Sequence, residues 1–208
     1  MDDNNILFPF YRPPSDVALI HLDPRVLDFN LDFSRVLFID FDGVLHPEDH
    51  TPETEFCFVK NFADAVRLVD LDRQLPIVIS STWRHHTTFD EIRSKFPSYL
   101  MDQVVGVTPY LRREQLAQIS DWDAIGGEES KSRHRQREIM QWLNAHSPGS
   151  KWLAIDDRPE YFHRQCEHLF IVPKASSGLT TEVTYDLIAR LRKFLFESER
   201  FVRIHRVC

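Results

Sequence analysis

The chain has 208 residues, 42% hydrophobic and 27% charged, which suits one α/β domain with a buried core and excludes global disorder. Lys and Arg total 25 against 32 Asp and Glu, a formal charge of −7. That balance argues against avid, stable nucleic-acid or anionic-membrane binding while leaving room for a local basic patch. No apolar run approaches the ~20 residues a membrane-crossing helix needs, the start Met1-Asp2-Asp3 is acidic, unlike a targeting peptide, and the scattered Cys57, Cys166 and Cys208 read as thiols of a reducing, cytoplasmic compartment.

Residues 1–34 carry Pro9, Pro13, Pro14 and Pro24 without sustained periodicity, so they read as an irregular N-terminal arm packed on the core, with Phe8, Phe10 and Tyr11 as anchors. Residues 35–208 read as a single domain. Val36-Leu37-Phe38-Ile39 is a β-rich run ending at Asp40. Phe58 to Leu71 follows at helical spacing, with Phe58, Phe62, Ala65, Leu68 and Val69 on one face. Pro76-Ile77-Val78-Ile79 is a second strand, Phe89 to Phe96 a short helix, and Val104 to Val107 a third strand. Ile139, Trp142 and Leu143 mark the buried face of a helix that stops near Pro148-Gly149. Trp152 to Ile155 and Leu169 to Val172 are strands four and five. Leu187, Ile188, Leu191, Phe194 and Leu195 then define a last amphipathic helix after Gly178.

Strand runs without polar alternation imply burial on both faces, as in a parallel sheet covered by helices. The alternating order therefore predicts a three-layer, Rossmann-like α/β core around a mainly parallel five-stranded sheet. Sites in such folds lie beyond the carboxyl ends of the strands. Three strands are followed there by residues suited to phosphate chemistry: Asp40-Phe41-Asp42-Gly43-Val44, Ser80-Ser81-Thr82-Trp83-Arg84 and Asp156-Asp157. Gathered in one crevice, the four carboxylates repel, and a bound cation relieves that repulsion. Carboxylate and carbonyl oxygens suit Mg²⁺. Asp40 is then a competent nucleophile toward phosphorus, and Asp42, brought round by a turn at Gly43, an acid and base. Ser80 would donate to a phosphoryl oxygen, with Ser81 as its rival. The basic stretch Lys131-Ser132-Arg133-His134-Arg135 precedes a helix and offers the cation that neutralises transferring charge.

This set resembles the haloacid dehalogenase (HAD) superfamily of aspartate-dependent phosphatases, in that family's motif order. Ser80-Ser81-Thr82-Trp83-Arg84, Val105-Gly106-Val107-Thr108-Pro109, Glu138-Ile139 with Trp142-Leu143, and Gly178-Leu179-Thr180 are similar to the HAD domain of Swiss army knife RNA repair proteins. The resemblance implies Asp40 as nucleophile, Asp42 as acid and base, and Mg²⁺ held by Asp40, Asp156 and the Asp42 carbonyl. The superfamily usually places a Lys before the third-motif helix. Spacing to Glu138 selects Arg135 instead, with Lys131 as the alternative, and Arg differs from Lys in gripping phosphate bidentately.

In this family a cap governs substrate choice. Val44 to Pro76 must already contain a helix, and Thr108 to Lys131, with Arg112, Arg113, Trp122, Gly126 and Gly127, offers only a loop or small flap. No large cap is expected, so the open site admits a small phosphomonoester, a nucleic-acid end or another bulky phosphate; the alternative is a phosphate-binding regulatory module of the same fold with little turnover. Asp157 either orients metal-bound water or caps the following turn. Other residues read as structural: His46 as an incidental loop histidine, Trp83, Trp142 and Trp152 as core or site wall, and Arg84 as a salt-bridge partner. Adjacent His85 and His86 diverge and do not make a metal pair.

Overall fold

A computed structural model describes residues 22–111 and 133–196. Its centre is a sheet of five strands: β1 (Arg35–Ile39), β2 (Ile77–Ile79), β3 (Val104–Val107), β4 (Lys151–Asp156) and β5 (Leu169–Ile171). They run in the order β3-β2-β1-β4-β5, and every pairing is parallel. The helices are α1 (Val59–Val69), α2 (Phe89–Ser94), α3 (Ser98–Met101), α4 (His134–His146) and α5 (Thr181–Phe196).

Alternation along the strands divides the core in two. Leu37, Ile39, Ile77, Ile79, Leu153 and Ile155 pack beneath α1, α2, α3 and α5. Val36, Phe38, Val78, Val105 and Ala154 face α4 and the segment from Leu22 to Phe33. Phe38, fully buried, meets Trp142 and Trp152 edge-on at 5.7 and 6.3 Å. Burying each such side chain contributes ~1.5–3 kcal/mol. The result is the expected three-layer α/β core.

Two sequence expectations are corrected. Leu68, assigned to the buried stripe of α1, is 53% exposed, because the helix turns Ala63 and Val66 inward instead. Ile171 is 46% exposed, since β5 is an edge strand paired only to β4. The second half of the expected arm packs on the α4 side. Asp23 accepts from Arg25, ion-pairs with Arg93 and donates its amide to Val105 O, while Val26 is buried. Phe8, Phe10, Tyr11, Arg112, Arg113, Trp122, Gly126, Gly127 and Cys208 lie outside the described residues. No cap domain occurs among the described residues, and none of their helices is long and apolar enough to cross a membrane.

The topology fixes where the site lies. The chain winds from β1 outward to β3, then returns to β4 on the opposite flank of β1. Strand order therefore reverses between β1 and β4, and a crevice opens beyond their carboxyl ends.

Candidate active site

Register brings the polar tips together. Ile39 stands opposite Ile155 in β4 and opposite Ile79 in β2. The next residues, Asp40, Asp156 and Ser80, are thus neighbours, and the ladder continues through Asp40 N–H to Ile155 O (3.0 Å) and Ser80 N–H to Ile39 O (2.8 Å). Chain segments far apart in sequence meet because they end adjacent parallel strands.

Asp40, Asp156 and Asp157 each place a carboxylate oxygen within 4.8 Å of the others. Asp40 and Asp156 are buried. Gly43 explains the approach of the third member. Its φ is +69°, and a Cβ there would stand 2.5 Å from Asp157 Oδ2, so only glycine lets the turn after β1 close over that carboxylate. Burial, and then the charge of Asp40, push Asp157 up to about 6. Burial likewise pushes Asp156 well above the usual carboxylate range, aided by Asp40 and opposed by Arg135. Three hard oxygen donors this close, with Asp156 and Asp157 both pushed up, form a donor set that fits a divalent cation such as Mg²⁺.

Arg135 completes this side. Its guanidinium is buried, with Nη1 3.1 Å from Asp40 Oδ1 and 3.6 Å from Asp156 Oδ2. Burial opposes its charge, but Asp40, Asp156 and Glu138 outweigh that and hold it above its ordinary value. Nη1 is spent on the ion pair with Asp40, and among the described residues Arg135 Nε and the Ser80 hydroxyl are buried donors without a hydrogen-bond acceptor. Thr108, at the end of β3 beside Ile79, has a buried and unpartnered hydroxyl too. Orphaned buried donors are rare and costly. Here they border a carboxylate cluster, as a pocket for an anion beside a cation requires.

Asp42 occupies different surroundings. Its Oδ1 lies 3.0 Å from His46 Nε2 and receives Trp83 Nε1–H at 3.1 Å, while Thr82 Oγ1 lies 3.4 Å from Oδ2. Burial alone would raise its pKa, but the bonds from His46 and Trp83 prevail and lower it. Its carboxylate groups with His46 and His50, apart from the Asp40 cluster.

Of the residues expected from sequence, Asp40, Asp156, Asp157 and Arg135 therefore converge. Ser80 stands beside Asp40, and Ser81 turns away to accept from Trp83 N–H. Lys131 lies outside the described residues. The basic stretch is not a solvated helix start, because Arg133, Arg135 and Arg137 are all buried. Arg84 forms the expected salt bridge: its Nη2 meets Glu138 Oε2 at 2.7 Å, and its Nη1 donates to Ser81 O. Glu138 also accepts from Leu111 N–H, tying α4 to the loops after β2 and β3. His46 is the residue sequence reasoning passed over. It is fully buried on Asp42, and its spacing four residues after Asp42 was the one available signal.

A family model described as the HAD domain in Swiss Army Knife RNA repair proteins matches residues 36–183. No curated protein and no solved structure matches the chain.

Proposed function

Because the chain belongs to the family of HAD domains in Swiss Army Knife RNA repair proteins, we propose that it is a Mg²⁺-dependent phosphomonoester hydrolase working through an aspartyl-phosphate on Asp40. The observation that carries this reading is the pairing of unmet needs. Asp40, Asp156 and Asp157 crowd three carboxylates together around one buried guanidinium, that of Arg135, and the buried Ser80 hydroxyl and Arg135 Nε have no hydrogen-bond acceptor among the described residues, all on adjoining strand ends.

Asp40, Asp156 and Asp157, with the Asp42 carbonyl implied by the family, would hold the ion. When bound, it offsets the negative charge of phosphate and carboxylates alike. The protein groups do the rest. Phe41 N–H and Arg135 engage Asp40 Oδ1, which leaves Oδ2 to attack phosphorus. Ser80 and Arg135 bind phosphoryl oxygens that gain charge. As the bond from phosphorus to the ester oxygen breaks, a proton that the Asp42 carboxylate takes up from solvent once the anionic substrate is bound passes to the departing alcohol. The resulting Asp42 carboxylate then takes a proton from water, which attacks the aspartyl-phosphate. Inorganic phosphate leaves and Asp40 is restored.

The site without a cap among its described residues suits phosphate on something bulky, a nucleic-acid end included, as well as a small ester. The chain's negative balance makes stable binding along nucleic acid an unsuited mode. A generic aryl phosphate tests the reaction. Phosphate release should require Mg²⁺, and Asp40→Asn should lower kcat at least ~10⁴-fold with the fold intact by circular dichroism. Full turnover by Asp40→Asn would overturn the nucleophile.

A further inference from the structure

Beside the phosphate site, one buried imidazole has both nitrogens committed. His46 is fully buried. Its Nδ1 receives the backbone N–H of Phe56 at 3.2 Å, and its Nε2 faces Asp42 Oδ1 at 3.0 Å. An N–H pointing at Nδ1 requires a lone pair there. The neutral ring therefore carries its proton on Nε2 and donates it to Asp42. Phe56 is itself held for this contact. It adopts φ +55°, a left-handed conformation that bulky residues rarely take and that persists only where the surroundings impose it. Its ring packs on Phe41 at 5.1 Å, Trp83 at 4.9 Å and His46 at 5.0 Å.

We propose that His46, fixed in one tautomer by the strained Phe56 amide, is a positioning residue that pins Asp42 Oδ1 together with Trp83, so that Oδ2 is the oxygen exchanging protons with leaving group and water. This rests on the phosphatase reading above. Two N–H donors on one oxygen fix the carboxylate's rotation about its last torsion, which is otherwise broad. Among the described residues Oδ2 keeps only the long contact to Thr82. General acid and base catalysis depends on such placement more than on binding strength.

The same three residues, Asp42, His46 and His50, put ligand atoms within 4.8 Å of one another, a grouping that by composition invites a second metal. The tautomer argues against it. A cation on Nε2 would need the proton moved to Nδ1, where it would collide with Phe56 N–H, so His46 offers the centre no lone pair.

The test joins a measurement on the resting protein to kinetics. Nitrogen NMR of histidine-labelled protein should show His46 neutral and protonated on Nε2, unmoved by added Zn²⁺. A proton on Nδ1, or a Zn²⁺-dependent shift at Nε2, would overturn the lock. On an aryl phosphate with saturating Mg²⁺, His46→Leu should lower kcat about 10²-fold with KM within about twofold. His46→Gln carries an acceptor and a donor at similar spacing and should recover to within about tenfold of wild type. Trp83→Phe keeps the ring but loses the N–H, and should lower kcat about tenfold. Unchanged kcat in His46→Leu, or equal losses in the Leu and Gln variants, would overturn the positioning role. A wild-type protein inert to every phosphate ester would instead bring down the phosphatase reading and the positioning role with it, while the tautomer measurement still reports whether the lock exists.

Discussion

Asp40 and Asp42 are two residues apart, yet their surroundings are opposites. Asp40 is buried among Asp156, Asp157 and Arg135, beside donors that have no acceptor. Asp42 sits against Trp83, His46 and His50, with each N–H that reaches it in hydrogen-bonding range. The neighbours of Asp40 are pushed above the ordinary carboxylate range, and Asp42 is held below it. Such divergence separates a carboxylate held ionised by protein hydrogen bonds from carboxylates whose shared charge a cation would relieve. The contrast also teaches where ligands belong. The Asp40 side is electrostatically crowded and should answer to metal and phosphate, whereas Asp42 Oδ1 is already held by His46 and Trp83 and should answer in turnover.

The strongest way to break the contrast is to remove the cation that the Asp40 side does possess. Arg135→Met leaves Asp40 and Asp156 buried without their shared guanidinium. The metal-free protein should lose about 3–5 kcal/mol at neutral pH. Mg²⁺ should recover part of that loss, and kcat should fall about 10³-fold. Thermal unfolding with and without Mg²⁺ checks this. Trp83→Phe, on the other side, should leave the Mg²⁺-induced rise in Tm as in wild type. Equal metal responses in the two variants would erase the distinction between the sides.

Gly43 marks the boundary and gives the next largest effect. In Gly43→Ala the new methyl meets Asp157 Oδ2 at 2.5 Å and Cγ at 2.6 Å, on a backbone with φ +69°. Strain and displacement together should cost about 2–3 kcal/mol. Because the carboxylate that moves belongs to the Asp40 side, Mg²⁺ affinity measured by calorimetry should fall about tenfold. A normal Mg²⁺ isotherm in a folded Gly43→Ala protein would show that Asp157 stands outside the metal cluster.

Most of the Asp40 side was legible in the sequence, because its residues follow directly from strand ends. Asp40, Ser80 and Asp156 each come one step beyond, or at the close of, an apolar β-run, and parallel register does the rest. Arg135 was reachable through its spacing to Glu138. The Asp42 side was not legible. His46 carries its role through a turn that folds back on Asp42, and Phe56 through a backbone amide, neither of which leaves a residue-type signature. Burial of Arg133, Arg135 and Arg137 also escaped, since a charged run reads as solvated until partners from elsewhere in the fold are seen. Leu68 and Ile171 failed for a simpler reason: apolar identity marks what can be buried, and neighbours decide what is.

The smallest effect is the sharpest test, because its sign depends on pH and metal. The Asp157 carboxyl is nearly covered and is raised from the ordinary 3.8 to about 6, by burial and then by Asp40. Below pH 3.8 it is protonated in folded and unfolded chains alike. Between 3.8 and about 6 the unfolded chain releases a proton that the folded chain keeps, so stability falls as pH rises, and above about 6 the loss is complete. Asp157→Asn removes that loss. Without metal, the variant should match wild type near pH 4 and exceed it by about 1–2 kcal/mol at pH 7.5, after allowing for the lost, partly exposed pair with Arg158. His85, lowered to about 4 by burial and by Arg84, moves stability the other way between pH 6.5 and 4. It is common to both proteins and cancels when they are compared at each pH. Saturating Mg²⁺ should abolish the variant's advantage, since the ion stabilises an ionised Asp157 and not an amide. A variant no more stable than wild type at pH 7.5 without metal would mean that this carboxylate is buried at no cost. The Asp40 side would then need no cation to be complete.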